Sequence, residues 1–206
     1  MDKWTEVTAI AAPLMKVNVE TGVLGPVFVT KASAISQGDR LFAPWRYDEK
    51  GEDNPDFVLN QDRYRTAQVL ISGKNFGCGS SREIAVWGLT GYGFKCVIAP
   101  TFGEIFYDNS FQNGLLLIEL PEEIVNHIAT TIERANHPEV SVDLVNEEIT
   151  LPGGETIPFK IPPARRDAML AGQDELSVLR GLADKVEAFR GHDRGERPWV
   201  YARESA

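Results

Sequence analysis

A chain of 206 residues with 43% apolar and 25% charged residues suits one domain with a sizeable core and room for an appendage. Its net charge of −9 argues against nucleic acid as the main partner, since phosphate neutralisation needs a basic face, and no run of about 18 apolar residues offers a membrane span. Cys78 and Cys96 are too few for an iron–sulfur cluster, which usually takes four thiolates, and without a close His/Cys pair no structural zinc is expected; the chain is expected to hold no metal. The thiols are expected reduced. The opening Met1-Asp2-Lys3-Trp4-Thr5-Glu6 lacks the apolar core of a signal peptide, so a cytoplasmic location is expected.

In chain order, Thr5 to Ile10 alternates weakly as a first strand before Pro13. Asn18-Val19-Glu20-Thr21-Gly22 reads as a turn-rich loop, and Val27-Phe28-Val29-Thr30 as β-prone. From Gly38 to Asn60, breakers at Pro44, Gly51 and Asn54-Pro55 predict an irregular segment pinned by Phe42, Trp45, Tyr47 and Phe57. Val69-Leu70-Ile71 is a buried strand, Ile84 to Leu89 a short helix closed by Gly91, and Cys96 to Ala99 a second buried strand. Thr101 to Ser110 predicts a helix ending near Asn113-Gly114, and Leu115 to Leu120 a third buried strand. Pro121 opens the next helix, whose apolar face is Ile124, Val125, Ile128 and Ile132. His127 on that helix reads as a surface residue and not a ligand. Val140 to Leu144 is a half-exposed strand, and Glu148–Leu151 with Thr156–Phe159 makes a hairpin around Pro152-Gly153-Gly154. Helix then runs from Pro163 to about Phe189 with a break near Gly172, before a charged tail from Gly191. Parallel crossovers followed by an antiparallel hairpin predict an α/β domain with more than one sheet layer.

The stretch Gly73-Lys74-Asn75-Phe76-Gly77-Cys78-Gly79-Ser80-Ser81-Arg82-Glu83 stands between a strand and a helix. Glycines there let backbone approach a ligand, and a helix start offers unpaired N–H groups and partial positive charge. Two hydroxyls and a guanidinium at that spot point to an anion site. The same residues also fit a Ser-x-x-Glu capping box, with Ser80 as cap and Glu83 reaching back, and the two readings are compatible. The loop lacks the third glycine of a dinucleotide fingerprint, the Gly-Lys-Ser/Thr ending of a P-loop and the Gly-x-Ser-x-Gly elbow.

Asn75 to Glu83 resembles the signature of the 3-isopropylmalate dehydratase small subunits of the aconitase superfamily. Asn54 to Asn60, Gly91 to Lys95, Val97 to Pro100, Ile105-Phe106-Tyr107, Asn109-Ser110-Phe111, Leu41-Phe42 and Trp45-Arg46 are similar to that family too. The resemblance implies a swivelling β/β/α domain over residues 1–160, like the mobile last domain of aconitase, with a C-terminal helical extension over 161–206. It implies a partner, a large subunit carrying a [4Fe–4S] cluster whose open iron acts as Lewis acid on the departing hydroxyl. The pair interconverts 2-isopropylmalate and 3-isopropylmalate, small dicarboxylate hydroxy acids, in leucine biosynthesis. Ser80 aligns with the serine that takes the carbon-bound proton, and Ser81 and Arg82 with residues that hold a substrate carboxylate. Val27, Phe28, Val29 and Thr30 fall in the loop that senses the substrate's side group.

Three departures accompany the match. The family usually shows Asn-Val-Asp-Thr-Asp where this chain has Asn18-Val19-Glu20-Thr21-Gly22, a basic residue where Val27 stands, and a histidine where Ile84 stands. The catalytic half matches better than the selecting half. A paralogous dehydratase for another substituted malate, such as a methylated one, and a non-catalytic anion-binding module therefore remain open.

Overall fold

Strand β1, Glu6–Leu14, is the seam of the fold. The structure, a computed structural model, describes residues 1–31, 36–79 and 82–201. The first half of β1, Glu6 to Ile10, pairs antiparallel with β5 (Glu139–Asp143); the second half, Ala11 to Leu14, pairs parallel with β2 (Val69–Ser72). With β3 (Cys96–Ala99), β4 (Leu116–Glu119), β6 (Glu148–Thr150) and β7 (Thr156–Pro158) the sheet order is β4-β3-β2-β1-β5-β6-β7. The mixed α/β architecture is as expected, with its parallel and antiparallel halves joined at β1, which pairs with both.

Pro13 does not end β1, contrary to the sequence expectation. Ala11 donates its N–H to Pro138 O on the β5 side, just before that strand begins. Pro13, two residues on, turns its missing N–H to the same side, where no ladder bond is left to lose. The parallel strands are mostly apolar because both faces are covered: every residue of β2 and β3 is buried, the polar Ser72 included. Helix α6 (Glu122–Arg134) packs across β1 to β3 with Val125, Ile128, Ala129 and Ile132 buried. Pro121 is its cap rather than its first residue.

Before β2 the chain makes three one-turn helices, α1 (Thr21–Leu24), α2 (Gln37–Arg40) and α3 (Ala43–Arg46), and a 3-10 turn at Val58–Asn60. Aromatics pin this segment as predicted: Phe42 is fully buried, stacked on Trp45 at 5.8 Å and tilted against Phe57 at 5.7 Å. Helix α1 replaces the expected loop, and Val27 to Thr30 forms no strand. No strand lies beside it to accept its ladder among the described residues; Val29 instead packs on Ala43 and Tyr47. Helix α4 (Ile84–Tyr92) closes at Gly93 rather than Gly91. Gly91 is instead where α2 crosses: a Cβ on Gly38 would lie 2.4 Å from the Gly91 backbone.

After α5 (Glu104–Gln112) and the β6–β7 hairpin, α7 (Pro163–Ala171) returns to the body. Trp4 donates its N–H to Met169 O, and the Arg165 guanidinium lies 4.6 Å over the Tyr107 ring. Helices α8 (Glu175–Arg180) and α9 (Ala183–Glu196) follow. The expected loose tail from Gly191 is instead helical to Glu196 and folds back through a 3-10 turn at Pro198–Val200. Asp193 holds that return, accepting from Arg197 Nε (2.7 Å) and Tyr201 Oη (2.8 Å).

Glu147, left-handed at φ 56° and nearly buried, ties the hairpin to α7. The Lys160 ammonium (2.8 Å) and then the Ile161 amide (3.0 Å) hold its carboxyl below the ordinary value of 4.5. A depressed folded value means that the stabilisation is present above pH 4.5 and is lost as pH falls through the folded value. Thermal melts between pH 7 and pH 3 are expected to show a smaller acid loss in Glu147→Gln than in wild type; equal acid loss would contradict the linkage.

Candidate active site

Past Ser72, β2 runs into the glycine loop, and backbone bonds hold that loop on both edges. On one edge Asn18 donates to Lys74 O (3.0 Å), Gly77 to Val19 O (2.8 Å) and Thr21 to Cys78 O (2.9 Å). On the other, Asn75 donates to Thr101 Oγ1 (2.8 Å), Phe76 to Thr101 O (3.1 Å) and Gly103 to Phe76 O (2.8 Å). The loop thus carries the sheet one step further, with bridges Glu20–Cys78 and Phe76–Phe102. Asn18 and Asn75 both adopt the left-handed region that asparagine tolerates, and their side chains pair at 2.8 Å.

Gly77 and Gly79 have φ of +74° and +97°. The first also has no room: a Cβ would meet Phe106 Cγ at 2.2 Å, whereas at Gly79 the nearest atom is Thr21 Oγ1 at 3.8 Å. Phe76, Phe102 and Phe106 pack together beneath, with Phe76 edge-on to Phe106 at 5.6 Å. Backbone bonds and ring packing hold the loop as far as Cys78.

Ser80 and Ser81 lie outside the described residues. Arg82 emerges on the far side exposed, and its guanidinium has no ion pair among the described residues. The Ser80 half of the expected capping box lies outside the described residues. Regular helix begins at Ile84, Glu83 occupies the cap position without a side-chain cap bond, and Glu83 Oε1 accepts from Asn113 Nδ2 at 2.9 Å. The amides of Val86 and Trp87 in the first turn of α4 already donate to Glu83 O, and Arg82 stands at the positive end of that helix.

The stretch from Val27 to Thr30 leaves from the same place. A Cβ on Gly25 would lie 2.8 Å from Ile84 Cγ2, so Pro26 and Val27 follow directly from the contact between α1 and the start of α4. Ile84, which stands where a histidine was expected, is thus a packing residue. Val27 is 61% exposed and Phe28 90% exposed. Val29 is packed inward, and Thr30 donates its hydroxyl to Asp48 O at 3.0 Å. A cavity of about 270 Å³ is lined by Phe28, Val29, Thr30, Pro44 and Tyr47. Val27 and Phe28 hold large apolar side chains out to solvent.

Two thiols do not make a cluster site here. Cys96 is wholly buried in β3 and Cys78 half-buried in the loop, and burial raises both thiols, with Glu20 adding to the rise at Cys78. Among the described residues no group of three His, Cys, Asp or Glu side chains could hold a metal. His127 sits on the surface, 3.0 Å from both carboxylate oxygens of Glu155. No helix among the described residues is long and apolar enough to cross a membrane.

Sequence reasoning missed Thr21, nearly buried beside Gly79, and the clamps at Asn18, Thr101 and Asn113. The Thr-x-Gly of Thr101-Phe102-Gly103 before a helix was the one local signal available for the second edge.

A mixed sheet whose second parallel strand runs into an edge-clamped glycine loop is the aconitase C-terminal type of domain, and the family model described as the aconitase C-terminal domain matches residues 1–123. The 3-isopropylmalate dehydratase small subunit of Rhodospirillum centenum is 42% identical over 201 residues, covering 97% of this chain and 99% of its own. That of Neisseria gonorrhoeae is 42% identical over 211 residues, covering 98% and 99%. The crystal structure of 3-isopropylmalate dehydratase from Methanocaldococcus jannaschii superposes with a TM-score of 0.60 over 90% of this chain and 99% of that one; at 24% identity it speaks for the fold. The chain belongs to the aconitase C-terminal-domain family, in its branch of 3-isopropylmalate dehydratase small subunits.

Proposed function

We propose that this chain is the small subunit of a 3-isopropylmalate dehydratase, a cytoplasmic hydro-lyase that interconverts 2-isopropylmalate and 3-isopropylmalate by dehydration and rehydration in leucine biosynthesis. It works only with a large subunit. The observation that carries the reading is the relationship to the named small subunits over nearly the whole of both chains. The [4Fe–4S] cluster belongs to the large subunit.

This chain brings the proton acceptor and the anion clamp. Removing a proton next to a carboxylate builds negative charge, so the base must be made strong and the carboxylate neutralised close by. Ser80 takes the proton. Its anion is favoured by Arg82 and by the amides that open α4. Ser81 and Arg82 hold the carboxylate, and a guanidinium suits this because two of its N–H groups can meet both oxygens at once. The exposure of Arg82, whose guanidinium has no ion pair among the described residues, supports that role.

Val27 and Phe28 meet the substrate's side group. Apolar, exposed side chains in place of a basic one favour a branched alkyl group. Each methylene removed from such a contact is worth about 1–3 kcal/mol, so with the matched large subunit kcat/KM for 2-isopropylmalate is expected to exceed that for 2-methylmalate by at least about tenfold. Preference for the methylated substrate would assign the chain to a paralogous dehydratase, and turnover of no malate derivative would leave an anion-binding module.

A further inference from the structure

Helix α5 touches the glycine loop at both of its ends. Its N-terminal cap, Gly103, donates to Phe76 O at 2.8 Å and lies so close to Gly77 that a Cβ would fall 2.5 Å from Gly77 O. Its first turn places Phe106 against Gly77. At its other end Asn113, the C-cap, reaches the first turn of α4: Nδ2 donates to Glu83 Oε1 (2.9 Å) and to Asn109 O (2.8 Å), while Oδ1 accepts from Trp87 Nε1 (3.1 Å). The amide's two donors and its acceptor are all used, which fixes its orientation. The segment between Gly77 and Glu83 is thereby bracketed by one rigid helix of about 14 Å.

We infer that α5 is a strut and that Asn113 is a positioning residue for the reaction, holding Glu83 and so setting where the adjacent Arg82 presents its guanidinium. The inference rests on the assignment of Arg82 as the carboxylate clamp. It adds a residue that contacts neither substrate nor proton. Stability alone does not account for the arrangement, because the charge-assisted bond to Glu83 ties down a half-buried side chain of the loop rather than a core element.

An exchange of donor and acceptor tests this. Asn113→Asp keeps an acceptor for Trp87 but sets a carboxylate against Glu83. The Asn113→Asp/Glu83→Gln double variant restores the contact with its polarity reversed. Trp87→Phe removes only the third bond. Two readouts are taken: tryptic cleavage after Arg82 in the native chain, and kcat/KM for 2-isopropylmalate with the large subunit. Losing a hydrogen bond to a charged group and adding repulsion is expected to speed cleavage about tenfold in Asn113→Asp and to lower kcat/KM about tenfold, with a raised KM. Trp87→Phe should change neither by more than about twofold, and the double variant should recover most of both. Unchanged cleavage in Asn113→Asp, unchanged kcat/KM despite faster cleavage, or no recovery in the double variant would each overturn the inference. Absence of turnover in the wild-type assembly would sink the functional reading instead, and the cleavage rates would then decide the strut by themselves.

Discussion

Ser80→Ala in the assembled enzyme is expected to lose turnover by at least about a thousandfold, the upper part of the range for a general base, with little change in KM. KM is spared because Ser81 and Arg82 still hold the carboxylate. The fold is expected to be almost untouched. Losing one loop hydroxyl at the start of a helix should cost no more than about 1 kcal/mol. Turnover measured on 2-isopropylmalate, beside a denaturant melt of the isolated chain, separates the two effects. Unchanged turnover would remove the serine from the chemistry.

The largest stability effect is expected at Gly77. Gly77→Ala must hold a side chain at φ +74° and drive its Cβ into the Phe106 ring, 2.2 Å from Cγ and 2.4 Å from Cδ1. Left-handed backbone costs a non-glycine residue roughly 1–2 kcal/mol, and overpacking about 1–3 kcal/mol more, so a loss of about 2–5 kcal/mol is expected. Gly79→Ala is the matched control. It shares the backbone conformation at φ +97° but meets nothing closer than Thr21 Oγ1 at 3.8 Å, so only the conformational part should be lost. Urea midpoints of the two variants decide the matter. Equal losses would mean that Phe106 does not press on the loop.

Much of the parallel half of the sheet could be read from the chain because Val69 to Ser72, Cys96 to Ala99 and Leu116 to Glu119 are short apolar runs bounded by breakers. Helix α6 was legible for a related reason, its apolar residues recurring at helical spacing. The failures share a cause: each depends on what lies alongside. Pro13 looks like a strand ending until β5 is seen to stop beside it, and Val27 to Thr30 looks like a strand until its neighbour proves to be α3. One-turn α1 has no periodicity to betray it; it forms because Leu24 is buried and its carbonyl abuts Gly88, where a Cβ would lie 2.5 Å away. Left-handed Phe42 and Glu147 are set by packing and by an ion network, neither of which is local.

The candidate site was legible at its centre and not at its supports. Glycines, hydroxyls and an arginine bunched between a strand and a helix are enough to suggest an anion site from the sequence alone. The segments that hold that loop, Val19 to Thr21 on one edge and Thr101 to Gly103 on the other, reach it by bonds between residues distant in the chain. Nothing in the pattern around Asn113 foretells that its amide joins the end of α5 to the start of α4. Ser80-Ser81-Arg82-Glu83 satisfies the capping pattern by itself, but nothing within that pattern shows that Asn113 engages Glu83 from a distant helix.

The central claim is a division of labour, with base and anion clamp on this chain and iron on another. The most direct measurement is turnover of 2-isopropylmalate by the purified chain alone, by the cluster-loaded large subunit alone, and by the two mixed. The account predicts no turnover from either alone and interconversion of 2-isopropylmalate and 3-isopropylmalate by the mixture. Full activity from the isolated, metal-free chain would contradict it.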